Sequence, residues 1–553
     1  MHGDATHAGL DVLARDRYDL LVIGGGIHGL LTAYDASLRG LSVALVERGD
    51  YGGGLSFNHQ RTIHGGLRAM QSGNLGKTLE QIRERRAWAI MAPHLVRPLP
   101  FLVGTYRWTK RSRTALRLGF TAYDYLGRRR NDHVSPELHL PKARLESAAA
   151  TRRLFPGVSE PGLSGGAIWY DYQTVHPDRL IWAVALAAAE QGAQLANHTE
   201  AVGVLREGGR VTGAKVRDAI TGAEADVRAV VTVVAAGSGL GGFLGQAGVE
   251  GAPPLLRAMN LLVDRPARDI AMVARGSSGR MLTAVPWRGR VLIGTHQSAA
   301  FIERPETRPP VEAVDAFLSD LNDTFPVFKV TRHDVRMVHH GLTPATSHGG
   351  RTDLLPEFRV VKHAGEAQGL ISLVGVKFTT ARHAAERAVD AACAALGRPT
   401  GRCRTGTMPL PYAGVADVEG RLLETLRDIG LTLDRDVLAH LSGWYGTEAS
   451  DVLHHAREAS LVDRLTPQSP VLAGEISYAV ARASARRLGD AVLRRTPLGS
   501  AGHPGAPALE RAAAIMADRL GWDRARVDQE LAAVECLYPA AIFAAESQPT
   551  ARY

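Results

Sequence analysis

The stretch YDLLVIGGGIHGLLTAYDASLRGLSVALVERGD, residues 18–50, constrains the fold of this chain more than any other. Leu20 to Ile23 is a short apolar run fit for a buried parallel strand, and Ile27 to Arg39 follows with helical spacing closed by Gly40. Between them Gly24, Gly26 and Gly29 fall on G-x-G-x-x-G. The first permits a tight turn, the second lets backbone approach a pyrophosphate, and the third lets helix pack on strand. The helix start adds N–H groups and a positive dipole end. Glu47 closes the next strand about 20 residues on, where an acid accepts hydrogen bonds from a ribose. The combination predicts a dinucleotide site; a purely structural glycine turn is the bland alternative.

Two later segments read as returns to the same sheet. ADVRAVVTVVAAGSG (225–239) is a β-rich run ending in the small residues Ala235, Ala236 and Gly237. GLISLVGVKFTTARHAAERAVDAA (369–392) is again strand, glycine turn and helix, its helix starting near Lys377 to Thr380. A sheet revisited this late implies an insertion between its strands. The predicted class is α/β: a discontinuous Rossmann-like cofactor domain, an inserted mixed-sheet substrate subdomain and an all-α C-terminal domain. Residues 1–17 read as a flexible tail, and the oxidoreductase domain as 18–396. Within it, 18–95, 171–249 and 346–396 hold the cofactor, while 96–170 and 250–345 face the substrate. The Gly-, Pro- and Arg-rich 397–414 reads as a linker, and 415–553 as helical. There Pro507 can start a helix with Leu509, Ala513, Met516 and Leu520 on one face, and Val527, Leu531 and Val534 repeat the pattern.

The net charge of +9 suits an anionic ligand, an acidic membrane surface or nucleic acid. Three widely separated cysteines argue against a disulfide framework or a cysteine zinc site, and point to a reducing cytoplasm. The first seventeen residues lack the pattern of a secretory signal. No apolar run approaches the roughly 20 residues of a membrane-spanning helix, so a membrane would be met from its surface, at its inner face.

VIGGGIHG, IHGGLR (63–68), APHLVRPLPF (92–101), AVPW with LIGT, VGVKFTTARHAAE and LGWD (520–523) together resemble the FAD-dependent glycerol-3-phosphate dehydrogenases and oxidases, across roughly residues 18–535. The resemblance implies non-covalent FAD, hydride transfer from a carbinol C–H to flavin N5, and quinone or oxygen as electron acceptor. It leaves room for a homodimer and for peripheral membrane contact. By matching position, Gly24, Gly26, His28, Gly29, Glu47 and Arg48 hold the ADP half, with Val202, Ala236 and Gly237 nearby. Ser56, Arg61 and His64 lie along the pyrophosphate and ring, and Gly375, Val376, Phe378 and Thr379 near the pyrimidine end. Arg68 and Lys377 match cations that grip the substrate.

The sequence also departs from the family. Thr343 stands where G-x-R-P carries an arginine on the substrate phosphate, and a second such arginine is replaced near Leu355. Ala69 replaces a tyrosine, and Asn260 a histidine. Two arginines fewer on a phosphate, at about 1.5–3 kcal/mol each, would weaken it several hundredfold without compensation. Asn260, His296 and, in VHHGLTP, His339 and Thr343 become the substrate-binding candidates, with His340 beside them. The hydroxyl proton requires a base. His340, next to the altered loop, is the first choice, followed by His64 and then His296 of GTHQ. The basic, aromatic run 106–130 predicts a helix with Leu116, Phe120, Tyr123 and Leu126 on one face; it would rest on anionic lipid or simply pack on the core. No nucleic-acid module accompanies the charge. Alternative readings are an amine or amino-acid oxidase on this scaffold, or a flavin-bound protein that binds nucleic acid or a partner.

Overall fold

The computed structural model describes residues 7–106, 113–276, 279–303, 306–349, 351–399, 401–414 and 417–544. The glycine-rich start forms the strand Arg17–Ile23, the helix Ile27–Leu38 and the strand Val43–Val46. Arg17–Ile23 lies between Val43–Val46 and Glu224–Val234, both parallel to it. Leu370–Val374 continues the sheet beyond Glu224–Val234, and Gln194–Ala196 beyond Val43–Val46. The run 20–23 is continuously apolar because both faces are covered. Leu20 and Val22 point into a core shared with the helices Ile27–Leu38, Pro177–Glu190 and Ala381–Leu396, whereas Leu21 and Ile23 meet Val216, Val227, Leu240 and Phe243 on the other face. Strands from residues 17, 224 and 370 onward are thus neighbours, with the insertion emerging between them.

The inserted sheet has ten strands and is mixed: Ala271–Arg275 runs parallel to Val96–Tyr106, and its other pairings are antiparallel. Leu255–Val263 sits between Val335–His348 and Arg290–Gln297. One face packs on the helix Val311–Thr324 through Val314, Phe317 and Leu321. The other receives the short helix Leu55–Asn58 of the cofactor domain, and a Cβ at Gly341 would lie 2.6 Å from Leu55 Cδ2. The close approach of the two domains therefore uses a position without a side chain.

Two expectations need correction. Residues 7–17 are not a flexible tail: Leu10–Arg15 is helical, Ala8 and Leu13 are buried, and Ala8 N–H donates to Leu195 O at 2.6 Å. Apolar residues at 8, 10, 12 and 13 supply a face that the adjacent sheet covers. In the helix Ala506–Leu520, Leu509, Ala513 and Met516 are buried as spaced, but Leu520 is 37% exposed where the helix ends at the left-handed cap Gly521.

The C-terminal helices are latched to the cofactor domain by buried charge. Asp50 accepts from Arg495 at 2.6 and 2.8 Å and from Arg494 at 2.5 Å, and Asp490 accepts from His198 at 2.8 Å and Arg494 at 2.8 Å. Asp50, His198 and Asp490 have the spacing of a metal site, but their oxygens are committed to guanidinium and imidazole donors, so a cation would meet two arginines. The group reads as an ion-pair latch.

Among the described residues, no helix is long and apolar enough to cross a membrane. In the helix Arg113–Leu126, Leu116, Phe120 and Tyr123 face inward and Leu126 is half-buried. Leu118 and Tyr125 are 70% and 67% exposed, one above the other at helical spacing. Residues 107–112 of the basic run lie outside the described residues.

Candidate active site

At the glycine turn, close approach dictates the residue type. Gly24 has φ +109°, and a Cβ at Gly29 would sit 1.8 Å from Gly24 O, so the helix can pack this tightly only without a side chain. A Cβ at Gly24 would also strike Ala235 O at 2.7 Å, which brings Ala236 and Gly237 to the turn. Ser56 Oγ accepts from Ile27 N–H at 2.9 Å at the helix start. Glu47 accepts from Gly25 N–H at 2.6 Å and Gly49 N–H at 2.8 Å, leaving each oxygen a lone pair for a hydroxyl donor. Burial pushes its carboxyl above the ordinary value, against those two hydrogen bonds. Val202 lies half-buried at a register shift of its strand, whose Thr199 N–H donates to Glu47 O at 2.7 Å. Arg48 is exposed near Gly239.

The later glycine turn meets the first one. A Cβ at Gly375 would lie 2.5 Å from the His28 ring. His28 Nε2 is buried with no hydrogen-bond partner among the described residues, and burial lowers the imidazole to about 4, so the ring is neutral. Val376 is half-buried; Phe378 is buried, stacked on His59 at 4.3 Å, so its side chain belongs to the core. Thr379 Oγ1 accepts from His64 N–H at 3.0 Å and joins the two segments.

His64 leads to residues the sequence reading missed. Its Nδ1 is 3.2 Å from Asp171 Oδ2, its Nε2 is 2.9 Å from Thr62 Oγ1, and the side chain is 51% exposed. Asp171, from the strand Leu163–Thr174, also accepts from Arg85 at 2.5 Å, Gly65 N–H at 2.7 Å and Trp169 at 3.3 Å. Burial opposes its charge, but the His64 and Arg85 hydrogen bonds hold the carboxyl below its ordinary value. Tyr123 donates to Gly65 O at 2.8 Å and closes the cluster. The one signal in the sequence was an acid in the middle of the apolar, aromatic strand IWYDYQT.

The substrate-loop candidates separate by parity. His339 pairs with Asn260 and His340 with Met259, so the two histidines point to opposite faces of the sheet. His339 turns toward the cofactor domain but is a core residue: Nδ1 is 3.0 Å from Asn58 Oδ1, the ring meets Phe57 edge-on, and burial with Arg61 beside it keeps it neutral. Asn260 donates to Asn58 O at 3.0 Å and accepts from Thr295 at 2.9 Å. Thr343 shares this face and is buried. His340, the first choice as base, faces the other side, toward the Thr307 backbone and the Glu306 carboxylate, and burial lowers its pKa. His296 stacks on Phe317 at 4.8 Å on that same far side. Both are corrected: strand alternation removes them from the face that meets the cofactor domain. Arg61 is corrected as well. Its buried guanidinium donates to Phe57 and His59 carbonyls and lies 4.8 Å over Trp287, and burial lowers it to about 9.

Lys377 Nζ donates to Pro356 O at 3.0 Å, and burial, followed by the charges of Lys77 and Arg68, lowers it to about 8. Arg68 is exposed at the end of IHGGLR.

Comparison with known proteins agrees with this architecture. The family model "FAD dependent oxidoreductase" matches residues 19–391, and that of the "C-terminal domain of alpha-glycerophosphate oxidase" matches 403–527. The chain is 31% identical to a glycerol-3-phosphate dehydrogenase of Synechocystis sp., over 93% of this chain and 95% of that one. It is 33% identical to glycerol-3-phosphate dehydrogenase 2 of Mycobacterium tuberculosis, over 94% and 88%. Its fold superposes with a TM-score of 0.73 on a Bacillus halodurans glycerol-3-phosphate dehydrogenase complexed with FAD, at 24% identity over 96% and 97% of the two chains. The glycine cradle, the Glu47 lone pairs and the unpartnered His28 nitrogen fit such a cofactor. The chain belongs to the FAD-dependent oxidoreductase family, among the glycerol-3-phosphate dehydrogenases.

Proposed function

We propose that this enzyme oxidises the secondary hydroxyl of glycerol 3-phosphate or a closely related small polyol or hydroxy acid. FAD, when bound, supplies the hydride acceptor and hands electrons on to quinone or oxygen. The observation that carries the reading is His64, exposed on one side and held on the other by buried Asp171 at the seam with Thr379. With Nδ1–H given to Asp171, Nε2 carries the lone pair; it accepts from Thr62 Oγ1 at 2.9 Å, and once the Thr62 hydroxyl turns away it can take the carbinol proton, with Asp171 stabilising the resulting imidazolium. Gly24, Gly26, Gly29, Ser56 and Glu47 would orient the ADP half, and Gly375 to Thr379 the ring. Arg68 and Lys377 would hold the substrate anion.

For location, we read the protein as cytoplasmic and resting on the inner membrane face through Leu118 and Tyr125, with exposed Arg117, Arg128 and Arg129 beside them. This arrangement supports electron delivery to a membrane quinone.

The test is anaerobic mixing of holoenzyme with glycerol 3-phosphate, glycerol, hydroxy acids, sugars and amines while following the flavin's visible absorbance. Bleaching by glycerol 3-phosphate is expected, with the rate in His64→Asn lowered by about 10²–10⁴. Bleaching by an amine alone would refute the reading.

A further inference from the structure

By the family resemblance, two phosphate-facing arginines are missing, at Thr343 and near Leu355, and the fold brings other cations close to both. Leu355 N–H donates to Pro344 O at 2.9 Å, which sets Pro356 next to the Thr343–Pro344 corner. Leu355 itself is buried in the core and Thr343 carries no charge. Two ammonium groups converge on the Pro356 carbonyl: Lys377 Nζ at 3.0 Å and Lys77 Nζ at 2.8 Å. Lys77 comes from the first turn of the helix Leu75–Met91, where the neighbouring Thr78 packs on Gly66 of IHGGLR, and its side chain is only 13% exposed. Among the described residues the single acid in contact is Glu357, 3.3 Å from Lys77 and itself 59% exposed. Arg68, close enough to act on Lys377, has no ion pair among the described residues.

Two ammoniums carry six N–H donors, whereas one carbonyl and one exposed carboxylate use few of them. Like charges brought together at a half-buried position repel unless an anion joins them. We propose that Lys77, with Lys377 and Arg68, forms an anion subsite that replaces the absent arginines and takes the phosphate dianion of a small phosphorylated alcohol. Three cations around one point match a tetrahedral group with three free oxygens better than a monoanionic carboxylate. The inference rests on the proposed alcohol oxidation for its substrate, but its binding claim does not. Nothing in the sequence motif marks Lys77, because it stands nine residues beyond Arg68 on the next helix.

The experiment titrates FAD-loaded wild type, Lys77→Met and Lys77→Arg with inorganic phosphate at low ionic strength by calorimetry. The same proteins are then assayed for KM and kcat with glycerol 3-phosphate and with glycerol. Lys77→Met should bind phosphate about tenfold or more weakly. Its KM for glycerol 3-phosphate should rise by a similar factor, glycerol should be unaffected, and Lys77→Arg should restore most of the affinity. Unchanged phosphate affinity in a folded, FAD-bearing Lys77→Met would overturn the subsite, as would a wild type that binds no phosphate. If phosphate weakens as expected while no phosphorylated alcohol reduces the flavin, the subsite stands and the substrate reading falls.

Discussion

Replacing Asp171 by Asn tests whether the cluster behind His64 is held by charge. The carboxylate is 3% exposed and accepts four donors, of which Arg85 is 1% exposed and, among the described residues, without another carboxylate. Asparagine keeps the shape and one acceptor for Arg85 and Gly65, but turns an NH₂ toward Trp169 Nε1–H and His64, and leaves a buried guanidinium without its counter-charge. Breaking a buried pair costs about 3–5 kcal/mol, and the retained acceptor places this change near 3. For a domain of roughly 370 residues, with an unfolding entropy of about 0.8 kcal/mol per kelvin, the melting point falls by about 4 °C. The sign with pH follows from the lowered carboxyl. Asp171 contributes its full stability above its ordinary value of 3.8 and loses it as pH falls through the lower folded value. Wild type and variant should therefore differ most at neutral pH and converge in acid. Thermal unfolding followed by flavin fluorescence between pH 3 and 7 measures both, together with the rate of flavin reduction, which should fall because His64 loses its orienting acceptor. A variant that melts with wild-type pH dependence would refute the charge argument.

Gly29→Ala should abolish tight FAD retention, because the new Cβ would lie 1.8 Å from Gly24 O and the turn must open; cofactor content after gel filtration measures it. His340→Leu should leave anaerobic flavin reduction within about threefold of wild type, since loss of a positioned base costs about 10²–10⁴ and this ring faces away from the cofactor domain. In Arg495→Met, Asp50 loses two of its donors while remaining buried, at about 3–5 kcal/mol. Urea unfolding should then show the C-terminal helices separating first, as an early change in tryptophan emission from Trp444.

The sequence alone determined the cofactor-binding half, because its signals are local. Three glycines within six residues, a strand before, a helix after and an acid at the next strand end are one continuous segment, and steric fit between Gly24 and Gly29 is decided within it. The helical C-terminal pattern was legible for the same reason. The direction of the histidines was not. His339 and His340 are adjacent, strand geometry sends them to opposite faces, and which face meets the cofactor domain depends on Leu55 packing against Gly341 from nearly the other end of the domain. Asp171 reaches His64 across 107 residues, and Lys77 reaches Pro356 across 279. Such pairs carry no shared periodicity or spacing; they exist only once two sheets and a helix have been brought together. The tertiary structure therefore decided which histidine faces the cofactor domain and which lysines meet at Pro356, since both depend on contacts that burial of distant apolar faces creates.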